Sequence, residues 1–292
     1  MTDTNTITSS STLPYKCPPL IDLSPEKEKK ILPPSECTSL FSQFSFSHKS
    51  IDPSHLYFYY YDCESIHDYG WGCAWRALQT TLRFLLAQSN KYTNSTDMTY
   101  KTLFMKYGER QMLEELYIKE YQPGNTVLPD YIVNTKFCPF ESMKGWAEPF
   151  IAKLVISDFG FKGELLLVNN AIEQAYAPKE VFNRVITFLD FVEIVKKHFE
   201  NPKAAPIIID DSLVCLCIGG VGKEESDGDD AIRFIMLDPH VRQNNTGDSG
   251  IYYVVIEKDG TFKKEKNKQH NILGHLLHFK KGWMVYIPDI IE

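Results

Sequence analysis

The chain is 292 residues long, 43% apolar and 24% charged, with a formal net charge of −7. That length allows one large domain or two small ones with a substantial buried core. The acidic balance gives no basic footprint for nucleic acid, and no apolar run approaches the roughly 18 residues that mark a membrane span.

Residues 1–14 are rich in Ser and Thr and have neither the basic start nor the apolar core of a signal peptide. With the proline- and charge-bearing stretch through Glu36 they predict a mobile extension, so residues 1–50 are set apart from a folded domain at 51–292. The span Cys37 to Ser54 is ambiguous, and folding of the extension over a groove as a self-inhibiting flap is left open. His55 to Asp62 carries Tyr57, Phe58, Tyr59, Tyr60 and Tyr61, a composition that predicts a strand. Alternation would put Tyr57, Tyr59 and Tyr61 on one face and Phe58 and Tyr60 on the other. His67 and Asp68 then read as a polar turn cap.

Gly70 and Gly72 follow, and two glycines so spaced permit a tight turn or a close backbone approach. From Cys73 the pattern becomes helical. Trp75, Leu78, Leu82, Leu85 and Leu86 form an apolar stripe on a helix running to about Gln88. Cys73 thus sits on the first turn of a largely buried helix, where unpaired amides and the dipole favour a thiolate. For a cysteine on its own, a buried thiol filling a glycine-tight corner is the commoner arrangement.

A polar loop at Ser89–Thr96 leads to a second helical segment, about Tyr100 to Ile118, and a turn at Pro123-Gly124. Glu141 to Phe159 predicts a helix with Trp146, Phe150, Leu154 and Val155 on one face. Phe161 to Asn169 reads as a strand. Phe188 to Phe199 reads as a helix whose Lys196-Lys197-His198 end suits the dipole. From Pro206 onward strands follow: Pro206–Ile209, Ser212–Gly219, Ala231–Asp238, Ile251–Glu257 and Trp283–Ile287, with Gly/Asp-rich connections at 219–230 and 243–250. The acidic run Glu224 to Asp230 lacks EF-hand spacing and reads as a solvated loop. Seven cysteines (Cys17, Cys37, Cys63, Cys73, Cys138, Cys215 and Cys217) show no CxxC metal pattern and are odd in number. That fits a reducing, cytoplasmic compartment better than a disulfide framework. No metal or cofactor site is predicted.

Phe234 to His240 is an apolar strand ending in Asp238-Pro239-His240. Residues i and i+2 of an extended chain share a face, so Asp238 and His240 lie side by side, and Pro239 closes the strand. An Asp that holds the imidazole tautomer, beside a His that takes the thiol proton, completes a nucleophile–base–orienter set with Cys73. Asp-Pro-His alone is a weak signal; with Gly-Trp-Gly-Cys far upstream it becomes a strong one. A helix carrying the nucleophile on a mostly antiparallel sheet makes an α+β protein.

The stretch Gly70-Trp71-Gly72-Cys73-Ala74-Trp75-Arg76-Ala77-Leu78-Gln79-Thr80 closely resembles the nucleophile motif of the proteases specific for ubiquitin-fold modifier 1. That family also carries Asp-Pro-His and a tyrosine twelve residues before its cysteine, here Tyr61. The resemblance runs from about Tyr57 to the C-terminus. It implies a papain-like cysteine protease fold and catalysis by Cys73, Asp238 and His240, with the Tyr61 hydroxyl and the Cys73 amide receiving the oxyanion and Trp71 walling a glycine-wide groove. It implies ubiquitin-fold modifier 1 and its conjugates as partners, cleaved after the modifier's C-terminal glycine, with no cofactor. An adaptor protein and recruitment to the endoplasmic reticulum surface stay open. The autophagy-related cysteine protease shares Gly-Trp-Gly-Cys and Asp-Pro-His and is the alternative, together with a catalytically idle module that binds a ubiquitin-like protein. Two departures stand out: Ile209-Asp210-Asp211-Ser212 replaces a glycine-rich turn, and Trp75 stands where tyrosine is usual.

Overall fold

The computed structural model describes residues 30–89, 99–108, 110–124, 148–169, 179–211, 214–223, 231–240, 249–257, 262–263 and 282–290. Its helices are α1 (Pro34–Phe41), α2 (Cys73–Gln88), α3 (Tyr100–Tyr107), α4 (Arg110–Tyr121), α5 (Pro149–Asp158) and α6 (Phe188–Phe199). Its strands are β1 (Ser47–Ser50), β2 (Gly163–Val168), β3 (Arg184–Ile186), β4 (Ile207–Asp210), β5 (Cys215–Lys223), β6 (Ala231–Leu237), β7 (Ile251–Glu257), β8 (Phe262–Lys263) and β9 (Trp283–Pro288). They form one sheet in the order β3-β2-β9-β4-β5-β6-β7-β8, with β1 added along the outer half of β5. Neighbours are antiparallel except for the β2–β3 pair. The result is the expected α+β architecture.

The periodic segments fold as their patterns dictate. Helix α2 begins at Cys73 and ends at Gln88, with Leu78, Leu82, Phe84 and Leu85 fully buried; each such side chain is worth about 1.5–3 kcal/mol on removal from water. It packs on β4 and β5. The Cys217 thiol of β5 meets the Ala77 carbonyl at 3.7 Å and the Thr81 hydroxyl at 3.6 Å across that contact. Helix α6 is closed at its start by a capping box between Thr187 and Asp190. Strand β6, buried along its whole length, runs between β5 and β7 and delivers the chain to Asp238.

Four expectations need correction. The fold starts well before residue 51, because Leu32, Cys37, Phe41 and Phe46 are buried and β1 pairs with β5. Residues 1–29 lie outside the described residues. His55 to Asp62 is not a strand. Its amides have unrelated acceptors: Phe58 exchanges bonds with Leu32, Tyr59 N–H donates to Thr80 Oγ1, Tyr60 N–H to Cys63 Sγ and Tyr61 N–H to the Pro239 carbonyl. High strand propensity without a neighbouring ladder leaves extended coil. The helical segment after Tyr100 is two helices, parted at Gly108. Strand β5 runs to Lys223, past a register shift between Ile218 and Gly220. Trp146, the acidic run 224–230, Cys17 and Cys138 fall outside the described residues.

Candidate active site

Strand β6 ends at Leu237, and the next three residues turn into a buried corner. Asp238 is 2% exposed. Its Oδ1 accepts from the His240 amide at 2.9 Å and lies 2.6 Å from His240 Nδ1, and its Oδ2 accepts from the Tyr252 hydroxyl of β7 at 2.9 Å. Burial raises the carboxyl's pKa, but the His240 charge and these three donors more than offset it, so Asp238 stays below its ordinary value. Burial likewise lowers the imidazole's. The Asp238 charge and hydrogen bond, joined by Cys73, reverse this and raise His240 to about 10. His240 therefore holds a proton at neutral pH, oriented by a carboxylate.

Cys73 is the first residue of α2 and partly exposed. As a first-turn residue its amide has no acceptor inside the helix. The thiol is within hydrogen-bonding reach of the His240 ring and of the Tyr61 hydroxyl. Tyr61 is 2% exposed, and its ring stands edge-on to His240 with centroids 5.1 Å apart. Burial, then the charge and hydrogen bond of Cys73, push the phenol's pKa far above its ordinary value, so it remains a donor. Its amide is anchored to the Pro239 carbonyl at 3.1 Å, between the acid and the histidine.

The loop joining Tyr61 to Cys73 is held from inside. Asp62, Glu64 and Ser65 all have left-handed backbones, with φ of 61°, 56° and 58°. Asp68, fully buried, accepts from the Asp62 amide at 2.7 Å and from Arg76 Nε at 2.7 Å. Its carbonyl accepts from the Trp71 and Gly72 amides at 3.2 and 2.9 Å. The two glycines follow from this packing: Gly70 has φ +83°, and a Cβ on Gly72 would fall 2.3 Å from Asp68 Oδ2. Arg76, also fully buried, donates to the Cys63 carbonyl, Gln79 Oε1 and Glu64 Oε2, and stacks 4.1 Å from the Tyr100 ring centroid. Sequence reading assigned Arg76 nothing and made Asp68 a turn cap. The available signal was a cation one turn before Gln79 and Thr80 on a largely buried helix, twelve and eight residues after two acids.

The sequence-singled residues Cys73, Asp238, His240 and Tyr61 converge. Trp71 does not join them through any contact of its ring described here. It is half-buried and packs edge-on against Tyr100 and Phe104 of α3, at 6.2 and 5.7 Å. The Asp210-Asp211 turn closes the β4–β5 corner, where Asp211 Oδ1 accepts from the Val214 amide at 2.9 Å. Asp210 also adjoins Cys215, a fully buried thiol kept protonated by burial and by the Asp210 and Cys73 charges. Among the described residues no group of three His, Cys, Asp or Glu side chains is arranged to hold a metal, and no helix is long and apolar enough to cross a membrane.

Residues 49–146 match the model of Peptidase family C78. That match covers about a third of the chain. The matched stretch holds Tyr61, Trp71 and Cys73, while Asp238 and His240 come from beyond it. The crystal structure of UfSP from C. elegans is similar in fold, with a TM-score of 0.51 at 15% identity, over 91% of this chain and 38% of that one. This chain thus spans well under half the length of that structure. The likeness supports a papain-like α+β fold. No curated protein matches the chain.

Proposed function

We propose that the chain is a thiol peptidase and isopeptidase that cleaves after the C-terminal glycine of ubiquitin-fold modifier 1, from its precursor or from lysines of conjugated proteins. One observation carries this reading: a partly exposed thiol on a helix's first turn, a carboxylate-held imidazolium and a protonated buried phenol meet at one point. The family match and the UfSP likeness support it.

The Cys73 sulfur, having given its proton to His240, attacks the glycine carbonyl carbon. The oxygen takes the C=O electron pair and is received by the Tyr61 hydroxyl and the Cys73 amide. When the C–N bond breaks, the His240 imidazolium gives its proton to the departing amine. A water molecule then loses a proton to His240 and attacks the thioester. The glycine carboxylate leaves, and the thiolate–imidazolium pair is restored. Asp238 keeps Nδ1 engaged so that Nε2 faces the thiol. Trp71, whose ring packs on Tyr100 and Phe104, is given the groove wall on the resemblance alone. The modifier and its conjugates are the partners of this reading, an adaptor protein is compatible with it, and a reducing, cytoplasmic location is its corresponding setting.

The test is labelling by the modifier carrying a C-terminal electrophile in place of its last peptide bond. A covalent adduct on Cys73 is expected. An adduct on another cysteine, labelling only by an autophagy modifier, or labelling by neither would overturn the proposal.

A further inference from the structure

We propose that the buried Asp68–Arg76 pair, with Glu64, is a positioning clamp that sets the Tyr61 hydroxyl and the Cys73 amide at the spacing an oxyanion needs; this rests on the peptidase reading above. The two donors belong to one stretch of chain, joined by the loop from Asp62 to Gly72. That loop contains three consecutive-region residues, Asp62, Glu64 and Ser65, in left-handed conformations that side chains rarely adopt. Such backbone persists only where the surroundings over-determine it. The surroundings are the clamp.

Asp68 reaches both ends of the loop at once. Oδ1 holds the amide of Asp62, the residue after Tyr61. Its carbonyl holds the amides of Trp71 and Gly72, the two residues before Cys73. Oδ2 is tied to Arg76, on the same helical turn as Cys73. Arg76 then returns to the loop through the Cys63 carbonyl at 2.8 Å and Glu64 Oε2 at 3.1 Å. Glu64 Oε2 also takes the Gln79 amide at 2.7 Å and the Tyr100 amide at 3.0 Å, which fastens α3 to the same knot. A buried ion pair is a poor source of net stability, since apolar groups of equal volume often serve as well. Apolar groups cannot bind amides on both sides of a nucleophile and a donor. The charge pair is there for geometry.

The variant is Asp68→Asn, which keeps an acceptor for the Asp62 amide but sets an NH2 against Arg76 or loses that bond. Two readouts separate positioning from general damage. Turnover of ubiquitin-fold modifier 1 bearing a C-terminal aminocoumarin needs the oxyanion donors. Alkylation of Cys73 by iodoacetamide, on its pH-independent plateau, is a displacement at carbon and needs none. Displacing a preorganised group by about 1 Å costs on the order of 100-fold, so kcat should fall ~10- to 100-fold with KM nearly unchanged. Alkylation should stay within about threefold of wild type, and in a Tyr61→Phe background the added loss should shrink to a few-fold, as for groups acting as a unit. Should the Asn variant fail to fold, Glu64→Gln, at the partly exposed side of the knot, should show the same pattern at smaller amplitude. Equal losses in alkylation and turnover, a loss fully additive with Tyr61→Phe, or unchanged turnover in both variants would overturn the clamp. Failure of the peptidase reading looks different: wild type itself would not turn the substrate over.

Discussion

Asp238→Asn tests the site's electrostatics most directly, because the structure says how pH should modulate the loss. The Asp238 charge and hydrogen bond, joined by Cys73, carry His240 from an ordinary 6.5 to about 10 against the opposing effect of burial. That difference corresponds to on the order of 5 kcal/mol of preference for the imidazolium. Replacing the carboxylate with an amide removes the charge; burial, the largest single influence, is then opposed only by Cys73, so His240 should titrate close to its ordinary value of about 6.5. In the wild type the alkaline limb of kcat/KM should lie near 10, because the imidazolium that donates to the departing amine survives until there. In Asp238→Asn at about pH 8 only roughly 3% of the histidine would be protonated, an approximately 30-fold deficit from protonation alone. A second, pH-independent deficit comes from the lost orientation of the ring. Steady-state hydrolysis of the modifier–aminocoumarin substrate from about pH 5.5 to 10 measures both. The variant's deficit should narrow by an order of magnitude between about pH 8 and pH 6. A deficit that stays constant across that range would mean that Asp238 orients His240 without setting its charge.

Cys73→Ala should abolish cleavage while modifier binding, followed by fluorescence anisotropy, stays near wild type, because the thiol is the nucleophile and not the groove; persistent turnover in Cys73→Ser would point to another nucleophile. His240→Ala combined with Asp238→Asn should cost little more than the worse single change, and full additivity would separate the two residues functionally. Tyr61→Phe should lower kcat about 100-fold, the low end for an oxyanion donor since the Cys73 amide remains, whereas Tyr59→Phe should leave kcat within a few-fold; equal effects on melting and none on turnover would make Tyr61 a packing residue. Gly72→Ala puts a methyl 2.3 Å from Asp68 Oδ2, so thermal melting should show a loss of about 1–3 kcal/mol, and an unchanged melting temperature would mean that the loop yields freely.

The sequence made legible whatever follows from local period. Cys73–Gln88 and Phe188–Phe199 match their helices end to end because each has an unbroken apolar stripe. Strands β6 and β7 are mostly apolar runs, broken only by Arg233 and ending at Glu257. Short or polar elements carried no such signal: Ser47–Ser50 is half exposed and Arg184–Ile186 is three residues long, so only their partners define them. The aromatic run before Asp62 misled for a related reason. Propensity describes the chain, whereas a strand needs a neighbour, and here the neighbouring groups are Thr80, Cys63 and Pro239. The reactive residues were readable as a type and spacing. Their support was not, since Tyr252 and Arg76 act through contacts whose partners lie far away or look like ordinary turn residues.

The tripeptide Asp238-Pro239-His240 shows how Cys73, Asp238, His240 and Tyr61 keep their mutual geometry. Asp238 is fixed by its own amide on the Gly250 carbonyl at 2.8 Å and by Tyr252, both on the β7 side. Pro239, which cannot continue the ladder, turns its carbonyl toward Tyr61 and holds that residue's amide. His240 then faces Tyr61 edge-on and shares the Cys73 thiol with it. Base and proposed oxyanion donor are thus located from the same three residues at the end of the sheet. The nucleophile is located from the helix that lies on β4 and β5 and from the Asp68 knot in front of it. Each reactive group is tied to a regular element or to a buried charge, the condition for holding a site to within about half an ångström. A change that loosens one tie should therefore lower turnover before it lowers stability.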